Sequence, residues 1–375
     1  MKKVLIVPDS FKGTVASKRI CEIIAERVRY HFPEACIYAI PVADGGEGSV
    51  ECFLSAVGGD MVRCAASNPF FEDMEGFYGI IDHGKTAVIE MAACAGLPLA
   101  EGRLDPAATT TYGVGLLIKD ALERGVSEII LALGGSATND FGCGAAAALG
   151  VGFYNENGES FIPTGGNLDR VERIDLSEIL PALKEVSITL MCDVKNPIFG
   201  EKGAAYVYAP QKGADMPKVE LLDNGLRHIC RVVERDIGKD VSSLEGGGAA
   251  GAMAGGMVAF FGAKIRMGIE VVLDAVDFDR LLDGADLVFT GEGKMDSQSL
   301  AGKVISGVAC RAHKADVPVV AIVGGVEGEL SEIYEMGVNS VFTINRMPED
   351  LSVSRYKSED NLKNTVDNVL RLLKL

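Results

Sequence analysis

Two stretches of the chain, one at each end, alternate short apolar runs with helical stripes, and this rhythm constrains the fold more than any other feature. Val4–Val7 is a continuous apolar run, as expected of a strand covered on both faces. A helical pattern over 15–32 then puts Ile20, Ile23, Ile24 and Val28 on one stripe, followed by an apolar run at 37–42 and a helix at about 48–57. After about residue 270 the rhythm returns. Strand patterns at 286–290, 317–323 and 340–344 alternate with helical ones at 301–313 and 328–336. A last amphipathic helix carries Leu362, Val366, Val369, Leu370 and Leu373 in phase. This β-α-β-α order predicts a parallel sheet with helices on its faces.

Between the two stretches the pattern is mixed. Short strand-like segments run from 61 to 91, broken at Asn68-Pro69 and Asp82-His83-Gly84. Then come a helix at 112–124, a strand at 128–133, a Gly/Ala-rich helix at 139–149 and strands at 188–192 and 204–208. The length of 375 residues suits two domains. The expected architecture is α/β: a Rossmann-like or flavodoxin-like parallel-sheet domain built from 1–60 and 268–375, with a mixed α+β domain, 61–267, inserted into it.

The charge of −17 argues against nucleic-acid or membrane-surface partners, because the chain repels phosphate backbones and anionic headgroups. Any anionic ligand must therefore be held by local donors. Nine scattered cysteines, none in a C-x-x-C spacing, read as reduced thiols and not as a disulfide framework or zinc cluster. The apolar run at the N-terminus is cut short by Pro8 and Asp9, too soon for a signal peptide, so a cytoplasmic enzyme is expected. Residues 246–263 are uncharged, but seven of them are glycine. They read as a glycine-rich loop entering a tightly packed internal helix, with no membrane span.

In open parallel sheets, ligands bind beyond the carboxyl ends of the strands. Those ends lead into Asp9, Ser10, Phe11, Lys12 and Gly13; into Ala43, Asp44, Gly45, Gly46, Glu47 and Gly48; and into Gly291, Glu292, Gly293, Lys294, Met295 and Asp296. Glycine suits any turn, but acids and lysines gathered at one rim exceed what turns need. In the middle block, the strand at 129–133 runs into Gly134, Gly135, Ser136, Ala137, Thr138, Asn139 and Asp140. Amides of such a turn at a helix N-terminus make an anion site. On residues alone, a phosphate cradle and a mere tight turn weigh equally. Gly142–Ala147 fits G-x-G-x-x-A but lies inside the expected helix, without the acid that a dinucleotide site needs. Asp193 and Lys212, taken singly, read as a capping acid and a solvated lysine, and Arg266 as a carboxylate binder or a surface arginine. The histidines, at 31, 83, 228 and 313, have no paired spacing and no expected catalytic role. Glycine amides, several carboxylates and scattered cations without a Ser-His-Asp or Cys-His set are what phosphoryl transfer requires.

The segments PDSFKG (8–13), ADGGEG (43–48), GGSATND (134–140), CDVKNP (192–197), PQKGA (210–214), GGGAAG (246–251) and TGEGKMDSQ (290–298) occur in this order. Together they resemble the bacterial class I glycerate kinases over essentially the whole chain. The family's GEGR here ends in Lys294, which keeps the charge and loses the planar fork. The resemblance implies ATP-dependent phosphorylation of D-glycerate to 2-phosphoglycerate with Mg²⁺. On this footing ATP is expected on Gly134, Gly135, Ser136, Ala137, Thr138 and Asn139, with Lys212, Gly291 and Glu292. Mg²⁺ is expected on some of Asp193, Asp296 and Asp140. Glycerate is expected among Ser10, Lys12, Gly45, Gly46, Arg266 and Asp296, its carboxylate on Lys12 or Arg266 and its hydroxyl proton passing to Asp44 or Asp193. Lys12 is expected to take part in catalysis as well. Glycerate 3-phosphorylation, a related hydroxy acid as substrate, a Rossmann-type dehydrogenase and a non-catalytic sugar-acid sensor are the alternatives.

Overall fold

A computed structural model describes all residues except 12, 43–44, 297–302 and 348, and all their side chains except that of residue 351. The chain divides into two compact units, Met1–Asp44 with Glu51–Gly58 and Met267–Leu375, and Gly45–Val50 with Gly59–Arg266. The short segment Gly45–Val50 thus groups with the middle of the chain, which the sequence rhythm did not suggest.

The first unit is a five-stranded parallel sheet. It contains β1 (Lys3–Pro8), β2 (Cys36–Ala39), β11 (Leu287–Gly291), β13 (Val319–Val323) and β15 (Val338–Thr343), in the order β15-β13-β11-β1-β2. The three central strands are apolar and buried because helices cover both faces of a parallel sheet. Helices Ser17–His31 and Ser358–Leu372 send Ile20, Ile24, Leu362, Val366 and Leu370 into one core with Val4, Ile6 and Phe289. β1 and β11 end level, Pro8 opposite Gly291, and Asp9 N–H donates to the Gly291 carbonyl at 2.8 Å. A short pair, β12 (Lys294–Met295) and β14 (Gly325–Val326), lies past the strand ends.

The second unit holds a six-stranded mixed sheet. It contains β3 (Asp60–Ser67), β4 (Asp73–Ile81), β5 (Thr86–Glu90), β6 (Glu128–Ala132), β9 (Ser187–Met191) and β10 (Lys264–Arg266), in the order β10-β9-β6-β5-β4-β3. Strands β10, β9, β6 and β5 are mutually parallel, while β4 runs against β5 and β3. A separate antiparallel pair joins β7 (Gly152–Tyr154) to β8 (Arg173–Asp175). The uncharged stretch forms the buried helix Ala249–Phe261, whose small residues let it pack closely. Among the described residues, no helix is long and apolar enough to cross a membrane. Among the described residues no disulfide joins the cysteines.

One expected strand is a helix. Ala204–Tyr208 is helical, with the consecutive residues Ala204 and Ala205 both buried. Five apolar residues satisfy either period, and a half-buried strand would have alternated.

Candidate functional site

In the second unit four strands end on one row: Glu90 opposite Ala132, Ala132 opposite Met191, Met191 opposite Arg266. The segments leaving these strands therefore share one rim. β6 leads into the glycine loop, β9 into Cys192 and Asp193, and β10 closes on Arg266 itself. Cys192 N–H donates to the Arg266 carbonyl at 3.0 Å, which ties the last two together. Asp193 and Arg266 are both partly exposed. The strand order thus assembles an acid, a cation and an amide-rich turn on neighbouring strands about 5 Å apart.

The glycines of the loop have specific reasons. Gly134 N–H donates to the Gly45 carbonyl at 2.8 Å, and a Cβ on Gly134 would fall 2.6 Å from the Gly46 Cα. Gly45 has φ +80, in the left-handed region. Gly45 and Gly46, expected near substrate, thus lie against the start of the loop. The segment they open is held at its other end by Glu90, a buried carboxylate that accepts the Val50 N–H at 2.7 Å. Sequence reading missed Glu90. Its only signal was an acid closing the otherwise apolar strand β5.

The far end of the loop is anchored by Asp140, which is fully buried. Its carboxylate accepts from Thr111 N–H and Oγ1 at 2.8 Å each, from Gly142 N–H at 3.1 Å and from Gly144 N–H at 3.2 Å. Burial pushes this carboxyl above its ordinary value against the pull of those donors. Asp140 was expected among the metal ligands. With its oxygens taken up inside the protein, it serves instead as the anchor of the turn.

Lys212 is only 2% exposed, which corrects the reading of a solvated lysine. Its ammonium donates to Ser136 Oγ at 2.8 Å and to the Thr138 carbonyl at 2.7 Å, gripping the loop from inside. Burial lowers its pKa to about 7, partly opposed by the charge of Asp140. Behind the loop, Ala250, Gly251 and Ala252 are all left-handed, at φ 56, 64 and 67. A Cβ on Gly251 would sit 2.1 Å from the Thr138 carbonyl. Left-handed alanines cost roughly 1–2 kcal/mol each, a strain that persists only where packing fixes it.

The loop also carries buried polar atoms that are unpartnered among the described residues. Thr138 Oγ1 and both Asn139 side-chain atoms are buried and have no hydrogen-bond partner among the described residues. Such groups call for a ligand or ordered water. Together with the loop amides they fit an anionic, oxygen-rich group.

In the first unit, Asp9, Ser10, Gly291 and Glu292 follow the level ends of β1 and β11. Asp9 and Glu292 are buried acids, and Ser10 N–H donates to Asp9 Oδ1 at 2.6 Å. Asp296 is partly exposed, with Lys294 Nζ at 4.0 Å, and Lys294 also pairs with Glu327. Lys12 and Asp44 lie outside the described residues. Among the described residues, no three His, Cys, Asp or Glu side chains gather into a metal site. A magnesium ion bridging nucleotide phosphates needs only one or two protein carboxylates, so Asp193 and Asp296 remain chemically suited to it.

The profile of the Glycerate kinase family matches residues 4–374. A glycerate kinase of Bacillus cereus is 41% identical over 374 residues, covering 100% of this chain and 98% of that one. A protein of Escherichia coli K12 named glycerate 2-kinase is 41% identical over 344 residues, covering 91% and 90%. The crystal structure of a putative glycerate kinase 2 from Salmonella typhimurium superposes with a TM-score of 0.88 at 38% identity, covering 100% and 98%.

Proposed function

The chain belongs to the glycerate kinase family, and from that premise we propose that it transfers the terminal phosphoryl group of ATP to the 2-hydroxyl of D-glycerate, giving 2-phosphoglycerate. The observation that carries the reading is the rim of the second unit. An amide-rich loop with unpaired polar side chains stands beside an acid and an arginine on adjacent strands. The choice of position 2 leans on the relative named glycerate 2-kinase.

In this reading the phosphates of ATP are bound by the side chains of Thr138 and Asn139 and by amides of 134–139 other than those of Gly134 and Ala137, which donate to the Gly45 and Ala95 carbonyls. Lys212 contributes by holding Ser136 and Thr138 in place. Arg266 or Lys12 binds the glycerate carboxylate, and Arg266 is suited to do so through two parallel N–H donors. Asp44 or Asp193 takes the hydroxyl proton as the oxygen attacks phosphorus. Mg²⁺, whose chemistry is to neutralise phosphate charge, would be held by Asp193 or Asp296. Gly291, Glu292 and Ser10 remain candidate contacts from the first unit.

Phosphorus NMR of the product formed from ATP and D-glycerate tests the reading. A 2-phosphoglycerate resonance that requires both reactants is expected, and a 3-phosphoglycerate resonance, or none, overturns it. Asp44→Asn and Asp193→Asn distinguish the proton acceptor. Replacing the true base lowers turnover by about two to four orders of magnitude in a protein that still folds.

A further inference from the structure

The loop between β3 and β4 sits on the same rim as the phosphate loop. Since β4 runs against both β3 and β5, β3 runs in the same direction as β5, β6 and β9, and its C-terminal end projects past theirs on the same side of the sheet. The turn 68–72 is therefore a neighbour of 134–139 by topology, and hydrogen bonds make the link concrete. Thr110 N–H donates to the Pro69 carbonyl at 2.9 Å, and Thr109 Oγ1 donates to the Ala137 carbonyl at 2.9 Å.

At the tip of this turn Phe71 adopts φ 61 and remains 42% exposed. A bulky residue at positive φ is an outlier that the surroundings must enforce. The enforcement is extensive. Asn68 Oδ1 accepts from Phe70 N–H at 2.9 Å and Glu72 N–H at 3.1 Å, while Asn68 Nδ2 donates to Glu72 Oε2 at 2.6 Å. Arg103 grips Glu72 with two bonds of 2.8 and 2.9 Å, and its guanidinium lies 4.0 Å from the Phe70 ring centroid. Nothing in this bracing buries Phe71. Its ring lies 5.8 Å from that of Tyr112, tilted by 46°. The helix beginning at Tyr112 directly follows Thr111, which binds the anchor Asp140.

We propose that Phe71, with Tyr112 beside it, is the stacking surface for the purine ring of the nucleotide. This rests on the assignment of the phosphates to 134–139. A strained aromatic held outward at a phosphate site offers a flat apolar face to a flat heteroaromatic base, which no backbone amide can supply. Base–aromatic stacking lost on alanine substitution weakens binding by roughly 5- to 100-fold.

Calorimetric titration of the full chain with ATP, and separately with inorganic tripolyphosphate, tests this without turnover. Wild type should bind ATP more tightly than tripolyphosphate, and Phe71→Ala should bring ATP close to tripolyphosphate while leaving the latter unchanged. Phe71→Trp should retain ATP affinity and, in a chain with no other tryptophan, show quenching by ATP and not by tripolyphosphate. A thermal melt checks that the variants fold. Unchanged ATP affinity in Phe71→Ala, or equal affinity of wild type for both ligands, overturns the stacking surface and leaves the phosphate site standing. Wild type that binds neither ligand overturns the phosphate assignment itself, and this inference with it. A change in oligomeric mass on Phe71→Ala without a change in ATP affinity assigns the face to a second copy of the chain and overturns the proposal.

Discussion

Replacing Lys212 by methionine separates two effects that the structure superimposes. The side chain keeps its bulk and loses two bonds, leaving Ser136 Oγ and the Thr138 carbonyl without a donor in a buried site. Each orphaned group costs about 1–3 kcal/mol. Against this, the variant no longer has to bury an amine, a burial that lowers the pKa from 10.5 to about 7. These offsets oppose each other, so the magnitude at one pH decides little, but their pH dependence differs. Between the folded and unfolded pKa values the unfolded chain binds a proton that the folded chain has released, so the stability of wild type rises with pH there. Below the folded value both states hold the proton and this slope vanishes. Integrating from pH 7 to 9 gives wild type a gain of roughly 2 kcal/mol that methionine cannot show. Urea unfolding of both proteins at pH 6, 7, 8 and 9, followed by circular dichroism, should show the gap widening in favour of wild type above pH 7. Parallel curves across that range would refute the reasoning, since they would mean that the folded protein keeps Lys212 fully charged.

Two further substitutions probe the ends of the loop. Gly134→Ala places a methyl group against the backbone of Gly45 and Gly46, which cannot rotate away. It should lower stability by about 1–3 kcal/mol and weaken ATP binding in calorimetry. Asp140→Asn turns an acceptor facing four donors into a group that must point an N–H₂ at some of them. A loss of about 2–4 kcal/mol is expected by urea unfolding, and a loss under about 1 kcal/mol would show that the carboxyl is already protonated in the fold.

The parallel sheet of the first unit was legible because Val4–Val7 and the runs near 286 and 317 are short apolar runs that alternate with helical stripes, as strands covered on both faces do. The helix boundaries were less so. The Gly/Ala-rich helix is only Cys143–Ala148, because Asp140 spends its carboxylate on capping and Phe141 takes φ 58. The glycine loop 134–139 could be found from its glycines at the end of a strand, but the orientation of its charged neighbours could not. Lys212 turns inward because a hydroxyl and a carbonyl, 76 and 74 residues away in sequence, meet its ammonium. Glu90 and Phe71 went unnoticed for the same reason. A lone acid ending a strand and an aromatic in a turn carry no local pattern. Their significance comes from Val50, Arg103 and Tyr112, which only the fold brings near.

The place of β1 between β11 and β2 has a consequence for biosynthesis. The strand's partner Leu287–Gly291 is made nearly three hundred residues after it. At translation rates of about 5–20 residues per second, one edge of the nascent β1 waits roughly 15 to 60 s for its neighbour. During that interval a buried-type strand, apolar on both faces, must be shielded by the helix Ser17–His31 or by a chaperone, so expression yield should respond to chaperone supply more than the stability of the finished protein would suggest.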